Sequence, residues 1–179
     1  DMIVAIDDNS VVQLARLFNE PVGHEYLVKK GVPAELVAKL DLFGLSGIAN
    51  LLSAIKAAKY YEMSENDVML FVMTDSIELY TSRLEEYRAD FGEFTFEQAA
   101  EAFGRDMLGE TTDHLLELTY ADRRRVHNLK YYTWVEQQGR TFEEIQAQWY
   151  DPDYWTDVQG QVDEIDALIT EFNHRTGLL

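Results

Sequence analysis

The chain has 179 residues, within the range of one domain, and 46% of them are hydrophobic, which is enough to bury a core. Its 33 acidic residues against 15 basic ones give a formal charge of −18, which argues against nucleic-acid and membrane partners because both are anionic. The absence of cysteine excludes disulfides, thiolate zinc sites and a cysteine nucleophile.

The start of the chain indicates both its compartment and its incompleteness. No basic and then apolar leader precedes the first element, and no run of about 18 apolar residues predicts a membrane span. We therefore expect a cytoplasmic protein. The chain begins at once in the apolar segment Met2-Ile3-Val4-Ala5-Ile6, so we expect it to be cut from something longer.

The first half of the chain predicts an α/β pattern. Residues 2–6 indicate a short strand, and Asp7-Asp8-Asn9-Ser10 offers caps for a helix that Pro21 ends. Short helices are predicted over about 22–30 and 34–41. The apolar face of the first helix is formed by Val11, Leu14, Ala15, Leu17 and Phe18.

The turn Gly44-Leu45-Ser46-Gly47 leads directly into an apolar helix that reaches about Met63. Its core face is predicted to carry Ile48, Leu51, Leu52 and Ile55, with Lys56 and Lys59 off that face. The continuously apolar residues 68–73 predict a strand covered on both faces, and Thr74-Asp75-Ser76 forms its polar tip. This order of elements favours a partial parallel sheet, because a strand is followed by a helical crossover, a turn, a helix and a second strand.

From Ile77 onward every element is predicted to be helical. Thr95 and Thr141 begin capping-box patterns, and Thr112-Asp113 is predicted to cap a helix that carries Leu115, Leu116 and Leu118. Further helices are predicted over 121–138, ending near Gly139, and over about 157–175, ending at Gly177. The predicted core side of the last helix consists of Val158, Val162, Ile165, Leu168, Ile169 and Phe172.

The chain is thus expected to contain an α/β part, 1–76, and a helical extension, 77–179, packed on it as one structural unit. Two strands do not form a stable sheet alone. Strands 2–6 and 68–73 therefore need neighbours from a missing part of the same chain or from a partner.

Few residues are candidates for chemistry. Ser46 either donates a hydrogen bond to a ligand from a helix N-terminus or simply caps that helix. Asp75 and Ser76 either face a ligand at the carboxyl end of a strand or cap the next helix. The lysines fall on polar helix faces, so no Schiff-base nucleophile is predicted.

Two clusters in the second half have both a functional and a structural interpretation. The basic segment Asp122-Arg123-Arg124-Arg125, with His127 and Lys130, either binds an anionic substrate group or pairs with the chain's own carboxylates. The aromatic residues between Tyr131 and Trp155 either pack in a core or subunit interface or form a substrate cage.

The order of these parts resembles the C-terminal portion of cysteine-synthase-like enzymes, the fold-type II family that depends on pyridoxal 5′-phosphate. The resemblance is carried by Gly44-Leu45-Ser46-Gly47, the helix from Ile48, the run 68–73, and Thr74-Asp75-Ser76 followed by Tyr80. Residues 122–131 and 134–139 resemble a subgroup described only as pyridoxal-phosphate-dependent proteins or cysteine-synthase-like lyases.

The resemblance implies that Ser46 hydrogen-bonds the pyridine nitrogen of the cofactor and leaves it largely unprotonated, which suits β-elimination or β-replacement on a small amino acid. It also implies that Gly44 and Gly47 let the backbone approach the cofactor ring. Asp75 and Ser76 would line the edge of the ring or hold the turn around Ser46. The glycine that the family has after Ser76 is missing here.

The Schiff-base lysine, the substrate-carboxylate loop and the phosphate-binding glycines of that family lie before the matched region. The resemblance therefore implies half an active site of a lyase or transferase, completed by the N-terminal part of the same enzyme or by a partner chain, in a homo-oligomer. The alternative is a non-enzymatic, acidic helical module that docks on a partner protein and binds no cofactor.

Overall fold

The computed structural model describes residues 1–178, which are mostly helical. The chain divides into two compact units, a larger one that spans Met2–Glu117 and a smaller one that begins at Leu118 and includes Asp1. Residue 76, at which the sequence analysis divides the chain, lies inside the larger unit. Across residues 1–178, no individual helix combines the length and the apolar composition needed to cross a bilayer.

Helices make up most of the larger unit. Their bounds are Asp8–Asn19 (α1), Pro21–Lys29 (α2), Ala34–Val37 (α3), Leu45–Tyr60 (α4), Thr81–Phe91 (α5) and Phe96–Glu101 (α6). Short 3₁₀ turns occupy Leu40–Leu42 and Ile77–Tyr80, and a π-helical segment at Ala102–Leu108 follows α6. The helices predicted before residue 64 are confirmed, although the one predicted over 34–41 is broken into α3 and a 3₁₀ turn.

The core of the larger unit forms around α1. Its N-cap is Asp7, whose carboxylate accepts the backbone N–H of Asn9 at 2.8 Å. One cluster joins the buried face of α1 to Ile48 and Leu52 of α4. The residues predicted for that face are all buried, namely Val11, Leu14, Ala15, Leu17 and Phe18. Periodicity alone therefore identified the central helix and the side that it buries.

The larger unit contains one small sheet. Strand β1, Met2–Val4, confirms the strand predicted at the start of the chain, and it pairs antiparallel with β2, Leu115–Glu117. The helix predicted around Leu115 is therefore wrong. A three-residue strand has too few positions to show alternation, and its partner lies more than 110 residues away in the sequence. His114 precedes β2 with φ of 54°, a turn conformation and not a helix cap.

Residues 68–73 do not form the predicted strand. They have no ladder partner, and the only sheet within residues 1–178 is the antiparallel pair of β1 and β2. The parallel sheet expected from the sequence is therefore absent from the described part of the chain. The physical reason is that a strand is defined by its neighbour, and no strand among residues 1–178 exchanges backbone hydrogen bonds with this run.

The smaller unit is helical. Its elements are Tyr120–Asn128 (α7), a π-helical segment at Tyr131–Gln137, Phe142–Tyr150 (α8), Tyr154–Gly160 (α9) and Val162–Thr176 (α10). The capping box predicted at Thr141 is present, as is the one at Thr95 in the larger unit. A third box begins at Thr119 and uses Asp122 where the usual pattern has Glu or Gln, so the sequence pattern missed it.

The apolar face of α9 and α10 is not part of a core. Its six predicted core residues, Val158, Val162, Ile165, Leu168, Ile169 and Phe172, are between 41% and 63% exposed. The sequence predicts one helix over about 157–175, whereas the structure divides this stretch into α9 and α10, with Gly177 ending α10 at φ of 74°. The prediction that this face is buried is wrong. The described residues provide no surface that covers it.

One charged network lies inside the larger unit. The Arg16 side chain is fully buried, its Nη2 donates to the backbone oxygen of Gly92 at 2.6 Å, and its guanidinium lies over the ring of Phe94. Its Nε is 3.6 Å from Oε1 of Glu20, whose other oxygen accepts from Arg88 at 2.7 Å. A buried cation of this kind depends on its carboxylate, because removing one partner leaves the other charge uncompensated.

We expect Glu20→Ala to lower the free energy of unfolding by about 3 kcal/mol, because it leaves the buried Arg16 guanidinium without a counter-charge. Chemical denaturation followed by circular dichroism measures the change. Glu85→Ala, at an exposed position of α5, is the control and should stay within about 0.5 kcal/mol of the unsubstituted chain.

The double variant Arg16→Met, Glu20→Leu should recover most of that loss, because it removes both buried charges together. If Glu20→Ala proves as mild as Glu85→Ala, the Arg16–Glu20 pair does not stabilise the core.

Candidate functional site

The turn before α4 is held by backbone and not by a side-chain cap. Gly44 is the N-cap of α4 and is buried, and its N–H donates to the backbone oxygen of Asp75 at 2.8 Å. A Cβ on Gly44 would lie 2.2 Å from Oδ1 of Asp75 and 2.9 Å from its backbone oxygen. Glycine is required here because the chain of residue 75 passes directly against it.

Ser46 is not the helix cap. It is the second residue of α4, since Gly44 occupies the cap position and Leu45 is the first helical residue. Its side chain is exposed, and it lines a groove of about 390 Å³ whose other walls include Asp8, Val12 and Tyr87. The hydroxyl therefore stands at the N-terminus of a buried helix, facing open space, with the capping function carried by another residue.

Asp75 secures the turn through its carboxylate. Oδ2 accepts a hydrogen bond from the Tyr80 hydroxyl at 2.6 Å, and Oδ1 accepts one from Thr74 at 3.1 Å. The bond to Asp75 raises the pKa of Tyr80 above its ordinary value, because the carboxylate favours the protonated phenol. Ser76 precedes the 3₁₀ turn Ile77–Tyr80 and makes no side-chain cap hydrogen bond to it.

The structure therefore brings some of the predicted site residues together and separates others. Gly44 and Asp75 are in direct contact, and a Cβ on Gly47 would meet Phe43 at 3.5 Å and Met73 at 3.8 Å. The described walls of the Ser46 groove do not include Asp75 or Ser76. Of the two roles expected for Asp75, this geometry matches the one in which it holds the turn.

An apolar groove lies beside this turn. Met2 and Val4 of β1 line one part of it, the run 69–72 lines another, and α4 contributes Asn50, Ser53, Ala54 and Ala57. The groove has a volume of about 490 Å³. The Asn50 amide donates to the backbone oxygen of Val72 at 2.8 Å, which fixes the run against α4.

The side chains of this run are unusually exposed for apolar residues. Val68, Leu70 and Val72 are 80%, 89% and 68% exposed. Only Phe71 stacks on a neighbour, the ring of Phe43, at 6.1 Å between centroids. A continuous apolar segment with free backbone groups is a surface that proteins normally cover.

Lys56 is the site residue that sequence reasoning missed. Its side chain is 3% exposed, although the sequence analysis places it off the core face of α4. Its Nζ donates to the backbone oxygen of Asp113 at 2.9 Å and lies 3.1 Å from Oδ1 of Asp113 and 3.2 Å from Oε1 of Glu110. The available signal was spacing, because Lys56 continues the i, i+4 stripe of Ile48 and Leu52.

The surroundings of Lys56 make it a fixed cation. Burial by itself would lower the pKa of its amine, but the hydrogen bonds and charges of Asp113 and Glu110 outweigh burial, and the pKa lies above its usual value. This amine borders a polar cavity of about 540 Å³ that Asp7, Arg105 and Asp106 also line. A protonated, paired lysine organises a loop and does not act as a nucleophile.

Comparison of the chain with family models, with curated proteins and with solved structures finds no match. The chemistry of this region therefore has to follow from its own residues. Those residues provide a glycine turn, an exposed hydroxyl at a helix N-terminus, a carboxylate that braces the turn, and an uncovered apolar groove.

We expect Gly44→Ala to lower the free energy of unfolding by about 2 kcal/mol, because its methyl group would overlap Asp75 and force the two segments apart. Gly47→Ala is the matched comparison, since its new methyl group meets only ordinary contacts within a helix. It should be neutral or stabilising by up to about 1 kcal/mol. Equal effects of the two substitutions in denaturant titrations would contradict the contact between Gly44 and Asp75.

We expect Lys56→Met to destabilise the chain by about 3 kcal/mol at neutral pH, because the carboxylate of Glu110, whose side chain is 11% exposed, then loses its cation. Lys39→Met, at an exposed position, is the control and should change little in stability.

The ion pair of Lys56 with Asp113 also predicts a pH dependence. The Thr111 hydroxyl and Lys56 lower the pKa of Asp113 in the folded chain. The stability that this carboxylate contributes is therefore present above its pKa in the unfolded chain and is lost as the pH falls through its lower pKa in the folded chain. The difference between Lys56→Met and the parent chain should therefore shrink in denaturation series below about pH 4. A pH-independent difference would argue against the ion pair.

Proposed function

We propose that this chain is the C-terminal part of a fold-type II pyridoxal-phosphate enzyme, a lyase or synthase that carries out β-elimination or β-replacement on a small amino acid. The observation that carries the proposal is the uncovered apolar groove on α4, bordered by β1 and the run 69–72. The sequence resemblance supplies the family, and the groove supports an incomplete sheet at the place where that family has one.

The exposure of the apolar run 68–73 is unfavourable in free energy, and this supports a missing sheet. Three side chains of an apolar run are more than two-thirds exposed, and its backbone lacks strand partners within residues 1–178. Burying such side chains stabilises a protein by about 1.5–3 kcal/mol each, so leaving them in water is a large loss. Additional parallel strands laid over α4 would bury the run and pair its backbone. We assign those strands to polypeptide outside this chain.

Ser46 fits the role of the residue at the pyridine nitrogen. Its hydroxyl is exposed, it lies in the first turn of a helix, and the capping position before it is already taken by Gly44. A hydroxyl donates a hydrogen bond to a ring nitrogen without adding a charge, so the nitrogen stays neutral. Pyridoxal phosphate would supply the electron sink for chemistry at the substrate, and Ser46 would set how strong that sink is.

Gly44, Asp75 and Tyr80 act as positioning residues in this proposal. The Tyr80 hydroxyl orients the Asp75 carboxylate, and Asp75 in turn receives the N–H of Gly44 through its backbone. These hydrogen bonds fix the residue at which α4 begins, and they therefore fix the position of the Ser46 hydroxyl. Gly47 follows Ser46 in the chain, and a side chain at that position would meet Phe43 and Met73.

The lysine that holds the cofactor is assigned to the other polypeptide. Lys56 is raised in pKa and paired, and the exposed Lys59 donates to the backbone oxygens of Leu108 and Glu110 at 2.8 and 2.6 Å. Neither amine of α4 is available for reaction. The proposal therefore includes completion of the site by an N-terminal part or partner chain, within a homo-oligomer.

The alternative function, an acidic module that docks on a partner without a cofactor, is favoured by one observation. The apolar face of α10 is open to solvent along its whole length, as a docking surface would be. The two functions differ in their requirement for Ser46, since docking through α10 does not involve it.

The experiment is to produce the chain together with the polypeptide that supplies the missing strands, add pyridoxal phosphate, and record visible absorbance and cofactor fluorescence across pH. We expect Ser46→Asp to shift the cofactor spectrum, because the negative charge of a carboxylate stabilises the protonated form of the pyridine nitrogen. We expect Ser46→Ala to weaken cofactor binding about tenfold or less. Ser53→Ala is the control, since its hydroxyl lies on the same helix but bonds the backbone oxygen of Ala49 at 2.9 Å. Its spectrum should match that of the parent complex.

Unchanged spectra and activity in both Ser46 variants would remove Ser46 from the site. A stable complex that takes up no pyridoxal phosphate would overturn the enzymatic proposal and leave the docking module.

A further inference from the structure

Arg124 differs from every other arginine in residues 1–178. Eight of the nine arginines have a carboxylate oxygen within 4.0 Å, and the exception is Arg124. The chain has 33 acidic residues and only 15 basic ones, so carboxylates are abundant. An arginine that meets none of them in such a chain is held in a setting that excludes the chain's own acids.

Its two neighbours show the contrast. Of the two roles expected for this basic segment, pairing with the chain's own acids is confirmed for two arginines. Arg123 lies 3.5 Å from Asp1, and Arg125 lies 3.4 Å from Asp122. Arg124 lies between them in the sequence on α7 and is half-buried. Two of these three neighbouring guanidinium groups are therefore paired with a carboxylate, and that of Arg124 is not.

Neutral aromatic groups hold Arg124 in place. Its guanidinium carbon lies 5.2 Å from the ring centroid of Tyr150. Tyr120 is hydrogen-bonded on its hydroxyl by Nε1 of Trp149 at 3.4 Å, and Trp149 and Arg124 together lower the pKa of that phenol. Arg124 also donates toward the hydroxyls of Tyr120 and Tyr150. These neutral partners fix the guanidinium without supplying a counter-charge, and two such bonds leave other donors among its five N–H groups free.

The guanidinium opens onto a wide groove in the smaller unit. The groove has a volume of about 940 Å³, and its apolar walls are the rings of Tyr120, Tyr131, Tyr132 and Phe142. The other polar groups are Asn128, Gln146 and the guanidinium of Arg125, which is paired with Asp122. An aromatic groove of this size with a small number of directed polar groups is the usual form of a small-molecule site.

We propose that this groove binds a small organic monocarboxylate with a flat aromatic body, its carboxylate on Arg124 and its ring against the tyrosines. The planar fork of a guanidinium matches a carboxylate with two parallel hydrogen bonds. A single uncommitted arginine suits one carboxylate, whereas a polyanion would need several cations and would be repelled by the chain's net charge of −18. This site is separate from the Ser46 turn and does not depend on the function proposed for it.

The test compares two probes that differ only in charge, indole-3-propionate and its neutral amide, by isothermal titration calorimetry and saturation-transfer NMR on the full chain. We expect the carboxylate to bind about tenfold more tightly than the amide, as a charge-assisted bond provides. Arg124→Gln should abolish that preference, and Arg124→Lys should restore part of it. Arg123→Gln removes the same charge from the neighbouring position and should leave the preference unchanged.

Four results would overturn the proposal. The first two are equal binding of the two probes to the parent chain and no binding of either at millimolar concentration. The others are a preference that survives Arg124→Gln and a preference that falls equally in Arg123→Gln. Far-UV circular dichroism and thermal unfolding of each variant confirm that the smaller unit is intact, since Arg124 makes no ion pair whose loss would unfold it. A preference that falls equally in Arg123→Gln would assign the effect to general charge and not to this groove.

Discussion

The packing of α4 against α1 is the interaction on which the rest of the larger unit depends. Ile48 and Leu52 belong to the same buried cluster as Leu14 and Phe18. Once α4 is fixed along this seam, its first turn presents Ser46 and its middle holds Val72 through Asn50. Its last turns hold the loop before β2 through Lys56 and Lys59. A single helix thus places the turn, the apolar groove and the polar cavity.

Different chemical groups attach the two ends of α4 to the rest of the larger unit. At the N-terminus of α4 the backbone N–H of Gly44 donates to the backbone oxygen of Asp75, and no side chain caps the helix. At the other end, carbonyl oxygens of the loop from Leu108 to Asp113 are met by two lysine amines. The loop carries acidic residues, and a cation that is both buried and paired tolerates burial only because those acids surround it.

Sequence reasoning succeeded where the signal was local. The i, i+3, i+4 recurrence in α1 and the capping boxes at Thr95 and Thr141 depend on residues within a few positions of one another. It failed at Leu115, where the strand is short and its partner is distant. At Ser46 the pattern left helix capping and ligand binding open, and the structure has Gly44 at the cap position. The burial of Lys56 was missed because residue type was weighed above spacing.

A hydrophobic pattern predicts that a surface is buried, but it does not identify the residues that bury it. Leu70 and Ile169 belong to apolar patterns of different period, one continuous and one helical, and both are exposed in the described chain. The pattern at residues 68–73 has the form of a strand buried on two faces, which only a sheet provides. The pattern on α10 has the form of one helix face, which another helix or a flat surface can cover. The two exposed surfaces therefore call for different partners, and only the first bears on Ser46.

The state of the lysine amines on α4 limits the covalent chemistry of that helix. A lysine reacts as a nucleophile only when its pKa is lowered by desolvation or by a neighbouring cation. Lys56 has the burial but is surrounded by acids, and Asp113 and Glu110 raise its pKa in place of lowering it. The same excess of carboxylates that gives the chain its charge of −18 thus removes its one buried amine from covalent chemistry. What α4 offers is therefore a paired lysine towards one end and the exposed, neutral hydroxyl of Ser46 at the other.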